Sequence, residues 1–343
     1  MTTGNPAFGS SFAGLEFAAG AGSYRGALDS VSGQSLNGVA VGRYEASEAV
    51  ARSFEGCSRF IGASQARRQT DCIGLSSDGG TTERGTDNSS LGFNLSSATI
   101  RLNGQRETAP GWFVAGSLGF ETNQLSGAQG VSATGQGMVG GISLRRQDGP
   151  LLLSATADFG YGAYDTTRTI TVGATPGSAT GSLGAFDAGA HLGAAYQLPF
   201  DRFYLQPSLD LAAIYVGTGS YNESGFSPLA LSQHSANNWF PTALPSLEVR
   251  SRFDLTGGAV LKVSANVGAL LVAKNSWTSK ASFSGDPLAG SFQSRTSIPA
   301  SAAEIGLGVG ILSGGNVEFN LRYSADLSYR FAQIGTARLA YRF

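Results

Sequence analysis

The sequence predicts an all-β chain, an antiparallel transmembrane β-barrel of about twelve strands. Three observations lead there. Only 14% of the 343 residues are charged, while 49 are Gly and 10% are aromatic; a soluble domain carries about 25% charged residues, so much of this surface is not built for water. No run approaches the roughly 18–20 consecutive apolar residues of a membrane helix, and only helices and closed barrels satisfy every backbone hydrogen bond in lipid. From the Cys72 region to the last residue, polarity alternates with a period of two, which sends successive side chains to opposite faces of a strand. A mean hydropathy near zero is consistent with this, because lipid-facing and lumen-facing residues cancel.

The last strands alternate most plainly. Val317, Phe319, Leu321, Tyr323, Ala325, Leu327 and Tyr329 share one face, against Glu318, Asn320, Arg322, Ser324, Asp326, Ser328 and Arg330. In the terminal segment Ala337, Leu339, Tyr341 and Phe343 oppose Thr336, Arg338, Ala340 and Arg342. Upstream, the runs beginning at Phe186 and Phe203 repeat the pattern. Further strands are expected around 90–103, 111–122, 136–146, 151–164, 243–253, 259–272 and 302–312, with a weak first strand near 69–77. The even count of about twelve suits bacterial single-chain barrels, as does the asymmetry of the connections. Gln147–Pro150, Leu198–Arg202, Asp254–Gly258 and Ser313–Asn316 are tight, whereas 165–181, 217–240 and 273–300 are long.

The N-terminal part reads differently. Residues 1–27 are rich in Gly, Ala and Ser and carry no periodic element. Within 28–68, Leu36, Val39, Ala40, Tyr44, Val50 and Phe54 recur at spacings of three and four among Arg43, Glu45, Glu48 and Arg52, the pattern of an α-helix. Asp29 or Ser32 could cap its start and Gly56 or Gly62 end it. The first ten residues have neither the basic stretch nor the apolar core of a secretory signal, so the expectation is a trimmed chain or a natural start further upstream.

Charge and cysteine usage narrow the function classes. A net charge of −1, with basic residues scattered, argues against nucleic-acid binding. Cys57 and Cys72 are the only cysteines; they could pair in an oxidising compartment or remain two buried thiols. With two histidines in the chain, His191 and His234, no metal site is expected and no cofactor motif is present. The Gly306-Leu-Gly-Val-Gly steps fall in a strand, where glycine is expected to leave room for a helix in the lumen.

At this point the chain resembles the C-terminal β-domain of classical monomeric autotransporters. Leu28-Asp29-Ser30-Val31-Ser32-Gly33-Gln34 is similar to the family's LDxLSGE element at the start of the linker helix, with Gln34 where an acidic residue is usual. Tyr221-Asn222-Glu223-Ser224-Gly225 followed by Leu229-Ala230-Leu231 is similar to its aromatic-x-Glu-x-Gly segment. Leu339-Ala340-Tyr341-Arg342-Phe343 is like the terminal strand of most outer-membrane barrels. The resemblance implies a barrel with the helix threaded through its lumen, and three regions: a passenger remnant or linker over 1–27, a linker with the lumen helix over 28–68, and the translocator barrel over 69–343. It also implies that Leu339, Tyr341 and Phe343 form the signal read by the barrel-assembly machinery. Inward-phase Glu248, Arg250, Arg252, Lys262, Glu318, Arg322, Asp326, Arg338 and Arg342 would pair with one another and with Arg43, Glu45 and Glu48 of the helix, or hydrate a water-filled pore.

The expected function is therefore secretion. The chain would anchor in outer-membrane lipid of a bacterial cell as a monomer and carry a covalently linked passenger, absent from this sequence, to the surface. The alternatives are a stand-alone barrel acting as adhesin or receptor through long loops bearing Trp239 and Trp277, or a diffusion channel. Catalysis is not expected. His234-Ser235 with Asn237 and Asn238 has the constituents of a hydrolase site but sits in a polar connection, and His191 has the phase of a lumen hydrogen-bonding residue. Asn237-Asn238 also lies far from the linker, so self-cleavage of the linker at an Asn-Asn step is not expected.

Overall fold

The computed structural model describes residues 21–54, 57–60, 67–87, 90–172, 177–225, 227–286, 288, 290–313 and 316–343. Twelve antiparallel strands form the wall. The first six are β1 (Cys72–Arg84), β2 (Phe93–Ala109), β3 (Trp112–Gly127), β4 (Val131–Asp148), β5 (Leu151–Ile170) and β6 (Gly177–Tyr196). The rest are β7 (Tyr204–Thr218), β8 (Ala236–Asp254), β9 (Val260–Val272), β10 (Ser301–Leu312), β11 (Val317–Leu327) and β12 (Arg330–Arg342). Each pairs with its sequence neighbour, and β12 returns to β1 from Arg330↔Arg84 to Arg342↔Cys72, so the sheet closes without a free edge.

The alternation has the physical cause the sequence suggests. Leu75, Ile100, Leu118, Phe120, Ile142, Phe159, Leu192, Val267, Leu307 and Leu339 all face outward and are exposed. Polar partners in the opposite phase, such as Arg101, Glu121, Asp187 and Glu318, are buried inside. An apolar outer belt around a polar interior is the arrangement that lipid requires. Tyr161, Phe186, Tyr215 and Trp239 run across four successive strands, with Tyr161 opposite Phe186 and ring centroids 5.6 Å apart for Phe186–Tyr215 and 5.1 Å for Tyr215–Trp239. Such an aromatic ribbon marks one rim of the belt.

Several strands differ from their expected bounds. The first begins at Cys72 rather than near 69, because Arg67–Gln69 is used elsewhere, pairing with Ser58–Phe60 in a small hairpin. The stretch 165–181 is mostly strand: β5 runs to Ile170 and β6 starts at Gly177. Both are 20 residues long, about twice what spans a bilayer, and they rise above the aromatic ribbon at the end carrying the long connections.

Among the described residues the N-terminal segment holds the expected lumen helix and, ahead of it, a second helix. Helix α1 (Ala21–Ser32) ends at Gly33, whose φ of 60° is left-handed, and a Cβ there would lie 2.9 Å from Leu231. A 3-10 turn, Gln34–Asn37, leads into α2 (Gly38–Ser53). Asp29 and Ser32 therefore close α1 instead of starting a helix, Ser32 Oγ donating to the Asp29 carbonyl at 2.9 Å. The expected end signals, Gly56 and Gly62, lie outside the described residues, as does the segment 1–20.

Candidate functional site

Helix α2 stands inside the barrel and packs on β2–β7. Val39, Ala40, Val41 and Tyr44 share a buried cluster with Phe93, Leu95, Leu125 and Phe240 of the wall. Tyr44 and Phe240 meet at 5.4 Å between ring centroids. The helix is polar where the wall is polar. Arg43, fully buried, pairs with Glu121 of β3 and with Asp187 of β6, its Nε donating to Asp187 Oδ1 at 2.7 Å. Glu45 pairs with Arg330 of β12 and accepts from Thr82 Oγ1 of β1 at 2.6 Å. Glu48 accepts from Thr242 Oγ1 at 3.4 Å, and Arg52 lies 3.7 Å from Glu304.

The helix and wall thus pair through Glu121, Asp187, Arg330 and Glu304, four residues not singled out from the sequence. Except for Asp326, the named wall residues serve a different layer. Arg250 holds Glu248 at 2.8 Å, Lys262 and Arg342 share Glu318, and Arg252 pairs with Asp254 at the turn end. Arg322 donates to Asn266 Oδ1 at 3.3 Å, and Asp326 shares the pocket that holds Glu45 and Arg330. These residues stand on β8–β12, whereas α2 leans on the opposite side. Local periodicity gives the inward phase but not the lateral position of a helix in a lumen.

Glycine makes room for the helix, though not where expected. A Cβ on Gly160 of β5 would fall 2.1 Å from Arg43 Nη2 and 2.6 Å from Asp187 Oδ1, so any larger residue there would displace the ion pair from this position. Gly306, Gly308 and Gly310 instead accommodate Asn266, Ser264 and Asn320 of adjacent strands.

Both ends of the lumen carry further elements. At the loop end, Ser276–Phe283 and Ser291–Ser297 form an outer hairpin that Leu231–Gln233 and Tyr221–Asn222 extend into a small sheet. Asn37, in the N-cap position of α2, donates to Thr296 Oγ1 at 3.1 Å and accepts from Ser279 Oγ at 2.8 Å on this hairpin. The aromatic-x-Glu-x-Gly segment sits here too. Glu223 pairs with Arg168 at the raised end of β5 and accepts from the Leu231 amide at 2.8 Å; Arg168 also donates to the carbonyls of Ser30 at 2.8 Å and Leu229 at 2.9 Å. One guanidinium so joins the linker, a loop and the wall. Burial, and Glu223 beside it, push the Tyr221 hydroxyl above its ordinary pKa.

At the opposite end lie the paired strands Ser58–Phe60 and Arg67–Gln69, the two arms of the Ser58–Gln69 hairpin. Its backbone bonds Gln147 and Gln197 of the wall, with Gln69 N donating to Gln147 Oε1 at 2.8 Å and Arg67 N to Gln197 Oε1 at 3.1 Å, while Gln105 Nε2 donates to the Gln69 side-chain oxygen at 3.2 Å. Cys57 and Cys72 are joined in a disulfide, which ties this hairpin to the base of β1. Between the hairpin and α2 lies a polar chamber of about 350 Å³.

No hydrolase site forms from the candidates weighed. His234 is exposed, Asn238 donates to the Ser276 carbonyl at 2.6 Å, and Trp277 is buried in the loop cluster rather than displayed on it. His191 does meet an acid and a hydroxyl, Asp158 at 2.7 Å and Ser47 of α2 at 3.5 Å. Both approach the same ring nitrogen, Nε2, whereas a catalytic relay uses the two nitrogens separately. Leu339 and Tyr341 face outward on β12, and Phe343 follows its last residue at the short-turn end, its amide 3.3 Å from the Asp71 carbonyl.

A closed twelve-stranded barrel with an apolar belt, whose lumen is occupied by the chain's own N-terminal segment, defines a self-plugged membrane translocator. The chain belongs to the autotransporter β-domain family, whose model matches residues 75–324. No curated protein matches it. The structure resembles the translocator domain of the autotransporter NalP from Neisseria meningitidis, with a TM-score of 0.66 at 16% identity over 90% of this chain and 98% of that one. It also resembles the transport unit of AIDA-I from Escherichia coli (0.56, 14%, 88% and 98%) and the β-domain of Bordetella BrkA (0.55, 17%, 80% and 100%). Autotransporter β-domains are outer-membrane barrels of Gram-negative bacteria, and membership implies a linked passenger.

Proposed function

We propose that this chain anchors in a bacterial outer membrane as a monomer, carries a passenger joined ahead of residue 1 to the cell surface, and catalyses no reaction of its own. One observation carries the reading. The linker enters at the loop end, where α1 packs on Ile170, Val172, Ala179 and Leu229, descends through the lumen as α2, and joins β1 at the short-turn end. That path is the one a chain would retain after its upstream part had passed outward. Residues 1–27 then belong to passenger or linker, 28–68 to the linker, and 69–343 to the barrel. Leu339, Tyr341 and Phe343 are the terminal signal taken up by the barrel-assembly machinery.

An adhesin reading finds less support, because Trp277 is buried and Trp239 belongs to the lipid-facing ribbon. A channel reading is opposed by the occupied lumen. The experiment is protease accessibility in intact cells, with an epitope and cleavage site placed ahead of residue 1 in one chain and in the Thr256–Gly258 turn in another. The first should be cut from outside and the second only after the outer membrane is permeabilised. Protection of the first in a folded barrel would remove the secretion reading.

A further inference from the structure

The chamber between α2 and the Ser58–Gln69 hairpin holds a feature that secretion does not use. Arg67 and Arg145 both line it. Arg67 donates to Tyr204 Oη at 2.6 Å and to Ser58 Oγ. Arg145, buried, donates to Gln105 Oε1 at 3.1 Å and Gln69 Oε1 at 3.4 Å. All four acceptors are neutral, and among the described residues no carboxylate comes within ion-pair distance of either guanidinium. The two cations lie within electrostatic range of each other, with Arg250 acting on Arg67 and Arg338 on Arg145. Glu248 and Asp210 act on them in the opposite sense, but Glu248 is already held by Arg250 at 2.8 Å.

Buried like charges repel strongly where water is scarce, and a buried charge without a counter-charge is costly. Guanidinium forks match the oxygens of phosphate and sulfate with paired donors. We propose that the chamber binds one small inorganic oxyanion of the phosphate class, bridged between Arg67 and Arg145. The lining belongs to the polar lumen side of the wall and not to its lipid-facing belt, so the anion is a free one.

The test uses the folded full chain in detergent, titrated with inorganic phosphate against chloride at matched ionic strength and read by calorimetry. Saturable binding is expected, weakened at least tenfold in Arg67→Gln and in Arg145→Gln, and unchanged in Arg295→Gln on the exposed outer hairpin. Arg145→Lys, which keeps the charge but loses the paired donors, should bind more weakly than wild type and more tightly than Arg145→Gln. Hydrogen exchange on the wild-type chain gives a readout that needs no variant: phosphate should slow exchange at the Arg67–Gln69 amides. Absence of saturable binding, equal binding in folded glutamine variants, or no protection of those amides would each overturn the site.

Discussion

Arg43 Nε lies 2.7 Å from Asp187 Oδ1, and this contact between the lumen helix and β6 fixes how α2 is rotated in the barrel. The same guanidinium reaches Glu121, so one cation compensates two buried carboxylates.

Removing that cation should be costly. Arg43→Met leaves Glu121 and Asp187 facing each other without compensation, and breaking a buried pair by deleting one partner costs about 3–5 kcal/mol. The expected outcome is a clear fall in the urea midpoint of the folded barrel. Adding Glu121→Gln and Asp187→Asn to Arg43→Met should restore much of it, because the buried charge is then gone from both sides. A triple variant as unstable as the single one would mean that the arginine acts through packing alone.

Deleting residues 28–66 removes the helix and most of the hairpin beneath it, and single-channel conductance in a planar bilayer should rise. A shorter deletion confined to α2, 38–53, should raise it less, because Gln105, Gln147 and Gln197 would still hold the hairpin at that end of the lumen. Equal conductance in the two deletions would show that the hairpin does not obstruct the pore.

The bridge between Cys57 and Cys72 closes a 15-residue separation, a loop worth about 3 kcal/mol in the chain-entropy model. Replacing both cysteines with Ser should lower the unfolding midpoint by up to that amount without preventing assembly. Non-reducing mass spectrometry of protein from outer membranes should find one intramolecular bridge and no free thiol.

The wall was largely legible because lipid on one side and polar lumen on the other impose a period of two on every spanning strand. Where a strand leaves the membrane, that imposition ends. Thr167, Thr169, Ser178 and Thr180 at the raised ends of β5 and β6 have no lipid-facing partner phase, so they read as loop. The first strand was blurred for a related reason, its outward phase past Leu75 being Ser77, Gly79 and Thr81. The partners of α2 were not legible at all. Asp187 stood in the recognised polar phase of β6, yet choosing it over Glu248 or Arg322 requires knowing which wall the helix leans on. That choice is made by packing of Val39, Ala40 and Tyr44 on Phe93, Leu95 and Phe240, contacts between residues up to about 200 positions apart.

The terminal strand offers the sharpest test of the membrane reading. Leu339 lies opposite Leu75 on β1 and Phe319 on β11, and Tyr341 opposite Ile73 and Val317, so the seam that closes the barrel is apolar on its outer face. Arg338 and Arg342, one position removed from each, point into the lumen toward Cys57 and Glu318. Leu339→Arg puts a cation on the lipid side of the closing strand, at a cost of about 2–4 kcal/mol near the midplane and less toward the interface. Deleting Phe343 acts differently, removing an exposed ring that packs little in the folded wall but belongs to the proposed assembly signal. Both variants should lower the heat-modifiable, folded fraction in outer-membrane extracts. Phe292→Ala, which only loosens a ring contact with Phe283 in the outer hairpin, should not. Refolding into detergent separates the two routes. The Phe343 deletion should refold nearly as well as wild type once the assembly machinery is bypassed, while Leu339→Arg should remain impaired wherever its face must meet an apolar phase. If both assembled in cells at wild-type levels, β12 would not be a lipid-facing closing strand.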